Sequence, residues 1–256
     1  MKTLRLLLAS GTLAATGLTL HAQVPQDPPP AFTLASGFDY SRGSYGYPTD
    51  TEVTSFPIDL GYENGPWILR ANLSHLTVKG PAAIVGAGAA PRPVTTSESG
   101  IGDIYVSGTY QAKPDEDNIA LSSTVRVKLP TASEARGLGT GETDVYAQVD
   151  GYRTYGSVTP FGTVGYRMLG DNATYQLSDG FYASAGAHFR TSNTTVFTAS
   201  YTWGQRLIAS GDNTSDAMVA VTHDVNPKWR VMGYVLKGFT DASPDFGGGA
   251  RLTYRF

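Results

Sequence analysis

The sequence contains no cysteine. That excludes a disulfide framework, thiolate catalysis and a thiolate-bound metal. Charge is also scarce. Asp, Glu, Lys and Arg make up 16% of the residues, against roughly 25% in ordinary globular domains. Beyond residue 22 no run of about 18 apolar residues occurs, so no transmembrane helix is expected. The 22 acids outnumber the 19 bases, which argues against nucleic acid as a partner. His21, His75, His188 and His223 are scattered, without the clustering a zinc site needs. No metal or cofactor is expected.

What is present favours strands and turns. Glycine (30) and tyrosine (15) are abundant, together with Thr, Ser and Val, whereas helix formers are not dominant. The opening "MKTLRLLLASGTLAATGLTLHAQ" has two bases, an apolar stretch and a small-residue site. It reads as a secretory signal peptide cleaved after Ala22. Loss of Lys2 and Arg5 takes the net charge from −3 to −5. "QVPQDPPP" can join neither ladder nor helix. The expected plan is a signal peptide at 1–22, a Pro-rich periplasmic leader at 23–31 and one folded unit at 32–256. Export without a helical anchor leaves the periplasm, the exterior, or the outer membrane as a β-barrel.

From residue 31 onward, segments of about ten residues alternate apolar with polar or small side chains, the weak recurrent signature of a membrane barrel. In "NIALSSTVRVKLP", Ile119, Leu121, Val125, Val127 and Leu129 share one face. Ala120, Ser122, Thr124, Arg126 and Lys128 share the other. Period two means strand. The same pattern recurs in "AFTLASGFDYSR", "VTSFPIDLGY", "WILRANLSH", "DVYAQVDGY" and "FYASAGAHFR". "TPFGTVGYRM" and "WRVMGYVLKGF" are less clean, because bulky residues fall on both faces. The segments number roughly twelve, and even counts suit bacterial single-chain barrels. Short connections such as "ENGP", "RTYGS" and "TSNT" alternate with longer ones such as 79–100, 131–141 and 170–180. A β-sandwich would not alternate in this way. The fold class expected is all-β: a single antiparallel transmembrane barrel with long extracellular loops and short periplasmic turns.

In such a barrel the charged face looks into the lumen. The lining and selectivity candidates are Arg70, Asp103, Arg126, Lys128, Asp144, Asp150, Arg167, Arg190 and Arg251. Charges sharing one interior need water or partners. They would either bias what passes or pair up and hold a plugged barrel together. The aromatics Tyr62, Trp67, Trp229 and Tyr254 near the short turns, and Tyr40 and Trp203 near the long loops, fit interface girdles.

Catalysis finds little support. Ser184 and His188 share a face but stand about 13 Å apart along a strand, and no G-x-S-x-G is present. "GLGTGETD", Gly137 to Asp144, lacks the Lys-Ser/Thr ending of a phosphate loop; its glycines read as a flexible outer loop. No catalytic residue is assigned.

"GIGDIYVSGTYQA" followed by "VRVKLPTASEARGLGTGETDVYAQVDGYRTYGSVTPFGTVGYRM" resembles the outer-membrane protein family named for the MetA (meta-cleavage) pathway of phenol degradation. The carrying residues are Gly100 to Asp103, Lys128 to Thr131, Gly139 to Asp144, and Gly165-Tyr166. The sequence departs from the family where Ala132 replaces a usual glycine. The resemblance covers the middle third and implies a transporter-like barrel for hydrophobic or aromatic compounds. The expected function is passive passage of small molecules across the outer membrane of a Gram-negative cell. The alternatives are a closed structural or adhesive barrel working through its outer loops and, less favoured, a barrel lipid hydrolase. Expected partners are the lipid bilayer, lipopolysaccharide, the barrel-assembly machinery and a small-molecule solute.

The stretch "RLTYRF" alternates too, with Leu252, Tyr254 and Phe256 toward lipid and Arg251, Thr253 and Arg255 toward the lumen. It is expected to close the barrel against the first strand, with Phe256 as an assembly signal.

Overall fold

The computed structural model describes residues 5–6, 20–21, 30–85, 88–91, 96–112 and 119–256. The cleavage site after Ala22 and the leader up to Pro29 lie outside the described residues.

Twelve strands form one closed antiparallel sheet. They are β1 (Ala31–Gly43), β2 (Thr51–Asn64), β3 (Trp67–Lys79), β4 (Ile104–Gln111), β5 (Ile119–Leu129) and β6 (Asp144–Arg153). Then follow β7 (Val158–Met168), β8 (Gly180–Arg190), β9 (Thr195–Gly204), β10 (Thr214–Asp224), β11 (Trp229–Gly238) and β12 (Phe246–Arg255). Each pairs with the next in sequence. β12 pairs with β1 from Phe246↔Arg42 to Arg255↔Thr33. Closure leaves no unpaired edge, which a lipid environment requires.

The alternation decides the faces. On β5, Leu121 and Val125 are exposed, whereas Ala120, Ser122 and Lys128 are buried. Only a barrel in lipid leaves apolar side chains outside and buries hydroxyls and charges within. The two irregular strands have a specific cause. Phe161 of β7 and Met232 of β11 pack together, flanked by Tyr152 and Tyr234. β7 and β11 are not neighbours in the sheet, so this contact spans the interior and places an apolar side chain on each inner face, among polar ones such as Thr159, Thr163 and Arg230.

The stretch read as one long loop, 79–100, is partly strand. Ala82–Val85 pairs with Gly88–Pro91, and Glu98–Ile101 extends the pairing of β3 ahead of β4. The register slips by one residue between the two pieces: His75 faces Ile101, whereas Asn72 faces Tyr105. The extra residue is a β-bulge at Gly102-Asp103. It lets both of these residues turn inward, where both are buried, while Ile101 stays on the lipid face.

Candidate functional site: the lumen and its outer mouth

The motif residues converge at the outer end of the barrel. Lys128 pairs with Asp144 across β5 and β6, and its Nζ lies 2.8 Å from Asp144 Oδ2 and 3.8 Å from Asp103 Oδ2. It also donates to Thr140 Oγ1 at 2.8 Å. Lys128 and Asp144 are 2% and 0% exposed. A cation so buried is tolerable only among such partners. The bulge aims Asp103 at the β5–β6 loop, where its Oδ1 accepts from Ala132 N at 2.9 Å. Thr131 Oγ1 donates to Gly102 O and accepts from Ile104 N, each at 3.0 Å. "GxGD", "KLPT" and the glycine-rich element are thus one latch.

The glycine-rich loop is therefore not the flexible element its composition suggested. A Cβ on Gly139 would lie 2.7 Å from Ala132 Cβ and 2.8 Å from Asp103 Oδ2. Gly141 sits at φ 75°, where other residues are strained. These glycines permit close approach rather than mobility.

The other outer loops lock onto this one. Asn172, in the β7–β8 loop, donates to Glu134 Oε1 at 3.1 Å and Thr140 O at 2.9 Å. Its Oδ1 accepts from the amides of Thr174 and Tyr175. Tyr175, 1% exposed, packs with Leu169, Leu207, Tyr146 and Tyr182. Ser178 N donates to Leu207 O, tying in the β9–β10 loop. In the β1–β2 loop, burial pushes the Tyr45 phenol well above its ordinary range.

The remaining candidates sit along the inner wall. Arg251 donates to both carboxylate oxygens of Asp39, at 2.9 and 2.6 Å, and lies 3.8 Å from Asp59. Tyr234 donates to Asp39 as well. Arg70 lies on the same wall and feels the charges of Glu63 and Asp59. Asp150 accepts from Ser122, Thr163 and Gln148. Arg167, 1% exposed, donates to Gln205 O. Arg190 ends β8 beside a short turn. Arg126 differs: its guanidinium lies over the rings of Tyr105 (5.1 Å) and Tyr146 (4.5 Å).

His188 also faces inward. It stacks on Phe161 at 4.6 Å between ring centroids, and its Nδ1 meets Thr198 Oγ1 at 2.8 Å. Among the described residues no group of three His, Cys, Asp or Glu could hold a metal.

The aromatics form contacts at both rims. At the short-turn end, Trp67 meets Tyr110, Phe32 meets Tyr62, Trp229 meets Tyr254, and Tyr254 meets Phe256, all with centroids within about 5 Å. At the loop end, Tyr40 meets Phe246 at 6.0 Å, and Trp203 lies on the outer face of β9, half-buried. A groove of about 920 Å³ lies on the outer wall near Leu60, Leu69, Val106 and Val125; those side chains are exposed, so it opens to lipid rather than to the lumen.

A closed barrel with a lipid-facing apolar band, aromatic contacts at both rims, interlocked long loops and short opposite turns is an outer-membrane β-barrel. The chain belongs to the family described as "Putative MetA-pathway of phenol degradation", whose model matches residues 21–256. Among solved structures, it is similar to an outer membrane channel from Pseudomonas putida F1. That likeness has 15% identity and a TM-score of 0.68, covering 90% of this chain and 96% of that one. It is also similar to the translocator domain of the autotransporter NalP from Neisseria meningitidis, with 11% identity, a TM-score of 0.53 and 88% of each chain covered. The β domain of the Bordetella autotransporter BrkA matches with 11% identity and a TM-score of 0.50, covering 88% of this chain and all of that one. No curated protein matches significantly.

Proposed function

We propose that this protein is a passive outer-membrane channel for small hydrophobic or aromatic compounds. The observation that carries the reading is the composition of the inner wall. On the inner face, hydroxyls such as those of Ser107, Thr159, Thr163 and Ser184 stand near the rings of Tyr105, Tyr146, Tyr182 and Phe161. Such a wall offers an apolar solute ring contacts and its polar atoms hydrogen bonds, with no covalent step. Family membership and the likeness to an outer membrane channel from Pseudomonas putida support the same reading. The charged lining residues then act as wall and latch, and Arg126 and Arg190 are the bases left to bias passage. The test is flux and conductance of the purified protein in bilayers. Discrete conducting steps and passage of small aromatic solutes are expected. Absence of both would sink the channel.

The interlocked outer loops favour a second reading, a closed barrel that works through its loop surface. Conducting steps would exclude it.

Assembly would require the barrel-assembly machinery, and lipopolysaccharide would surround the outer loops. Phe256 donates its N–H to Phe32 O at 3.0 Å and stands with Tyr254, where it would serve as the assembly signal. Deleting Phe256 should reduce the folded, heat-modifiable form in outer-membrane fractions. A normal yield would remove that role.

A further inference from the structure

Arg126 differs from most of the inward-facing bases. Lys128, Arg230, Arg251 and Arg255 each lie against a carboxylate, and Arg167 lies against a carbonyl. Among the described residues no carboxylate is within ion-pair distance of Arg126. Its neighbours are rings instead. Tyr146 is its cross-strand partner on β6, and Tyr105 stands on β4, with the guanidinium 4.5 and 5.1 Å from their centroids. The nearby acids are already engaged. Asp144 takes Lys128, and Asp150 takes Ser122, Thr163 and Gln148. Arg126 is also only partly buried, unlike Lys128 two residues on.

A guanidinium has its donors in one plane. Contact with rings engages none of these donors with a carboxylate, and a guanidinium edge matches a carboxylate bidentately. The same rings provide edge or face contacts for an aromatic body. Tyr182 projects into this region and donates to Gln148 Oε1 at 3.0 Å. Thr109 and Thr124 form a hydroxyl pair on β4 and β5.

We infer that Arg126, with Tyr105 and Tyr146, forms a lumen subsite for small aromatic monocarboxylates, just inside the Lys128 latch. This deepens the channel reading and rests on it.

The experiment is calorimetric titration of detergent-solubilised, folded protein with three probes: benzoate, its neutral isostere benzamide, and acetate. Benzoate should bind about tenfold or more tighter than either of the others, since charge and ring are both needed. Arg126→Gln should erase the preference over benzamide, and Arg126→Lys should restore it only in part. Equal binding of benzoate and benzamide by the native protein, or an undiminished preference in Arg126→Gln, would overturn the subsite. The native-protein comparison decides even if a variant fails to fold. Bilayer conductance, measured separately, reports on the channel itself, so loss of one reading is distinguishable from loss of the other.

Discussion

At the residue scale the latch is the most demanding feature. Lys128 is buried against Asp144 and Asp103, and Asp144 also accepts from Gly170 N and Tyr146 Oη. Removing one partner of a buried pair strands the other charge, at a cost of about 3–5 kcal/mol. Asp144→Ala should therefore lower stability by about that much in urea unfolding of the lipid-reconstituted barrel. Lys128→Met combined with Asp144→Ala should recover part of the loss. If the double variant is no better than the single, the stranded charge is not the cause. Much at this scale was legible in the order of the residues. Alternation put Arg126, Lys128, Asp144, Asp150 and Arg251 on the inner face. What each one meets there was not legible, because Asp39 and Arg251 are separated by nearly the whole chain and touch only once the barrel closes.

At the element scale each strand has two solvents. Val164 on β7 is 61% exposed, while its neighbour Thr163 is buried and donates to Asp150. An arginine on the lipid face near the midplane costs about 2–4 kcal/mol. Val164→Arg should show that loss in the same unfolding assay, and a native-like midpoint would place Val164 off the lipid face. The bulge at Gly102-Asp103 is the element the pattern concealed. A period of two is lost for one residue and then resumes, which in sequence looks like a loop. Only the change of register against β3 shows that pairing continues on both sides of it. β7 and β11 were ambiguous for a different reason, since Phe161 and Met232 meet across the interior and interrupt the polar half of the alternation with bulky apolar side chains.

At the scale of the whole molecule, the outer loops form one interlocked layer, and Asn172 is its clasp. Its side chain bridges the β7–β8 and β5–β6 loops and caps its own turn. Asn172→Ala should raise the open population of the β7–β8 loop roughly tenfold, the worth of one to two hydrogen bonds. Faster proteolysis between residues 169 and 179, with larger conductance steps, would be the readout. Unchanged cleavage would mean that the layer does not depend on this residue. The sequence by itself determined the twelve wall strands, their faces, most of the long and short connections and the closing of β12 on β1. Those follow from a local rule: in lipid every second residue must be apolar and every backbone group must be paired. The tertiary structure alone decided which charges neutralise one another, that the glycine-rich loop is a rigid part of a latch, and that Arg126 faces rings rather than a carboxylate. These are contacts between residues distant in the chain, and their geometry exists only after the sheet has curled shut.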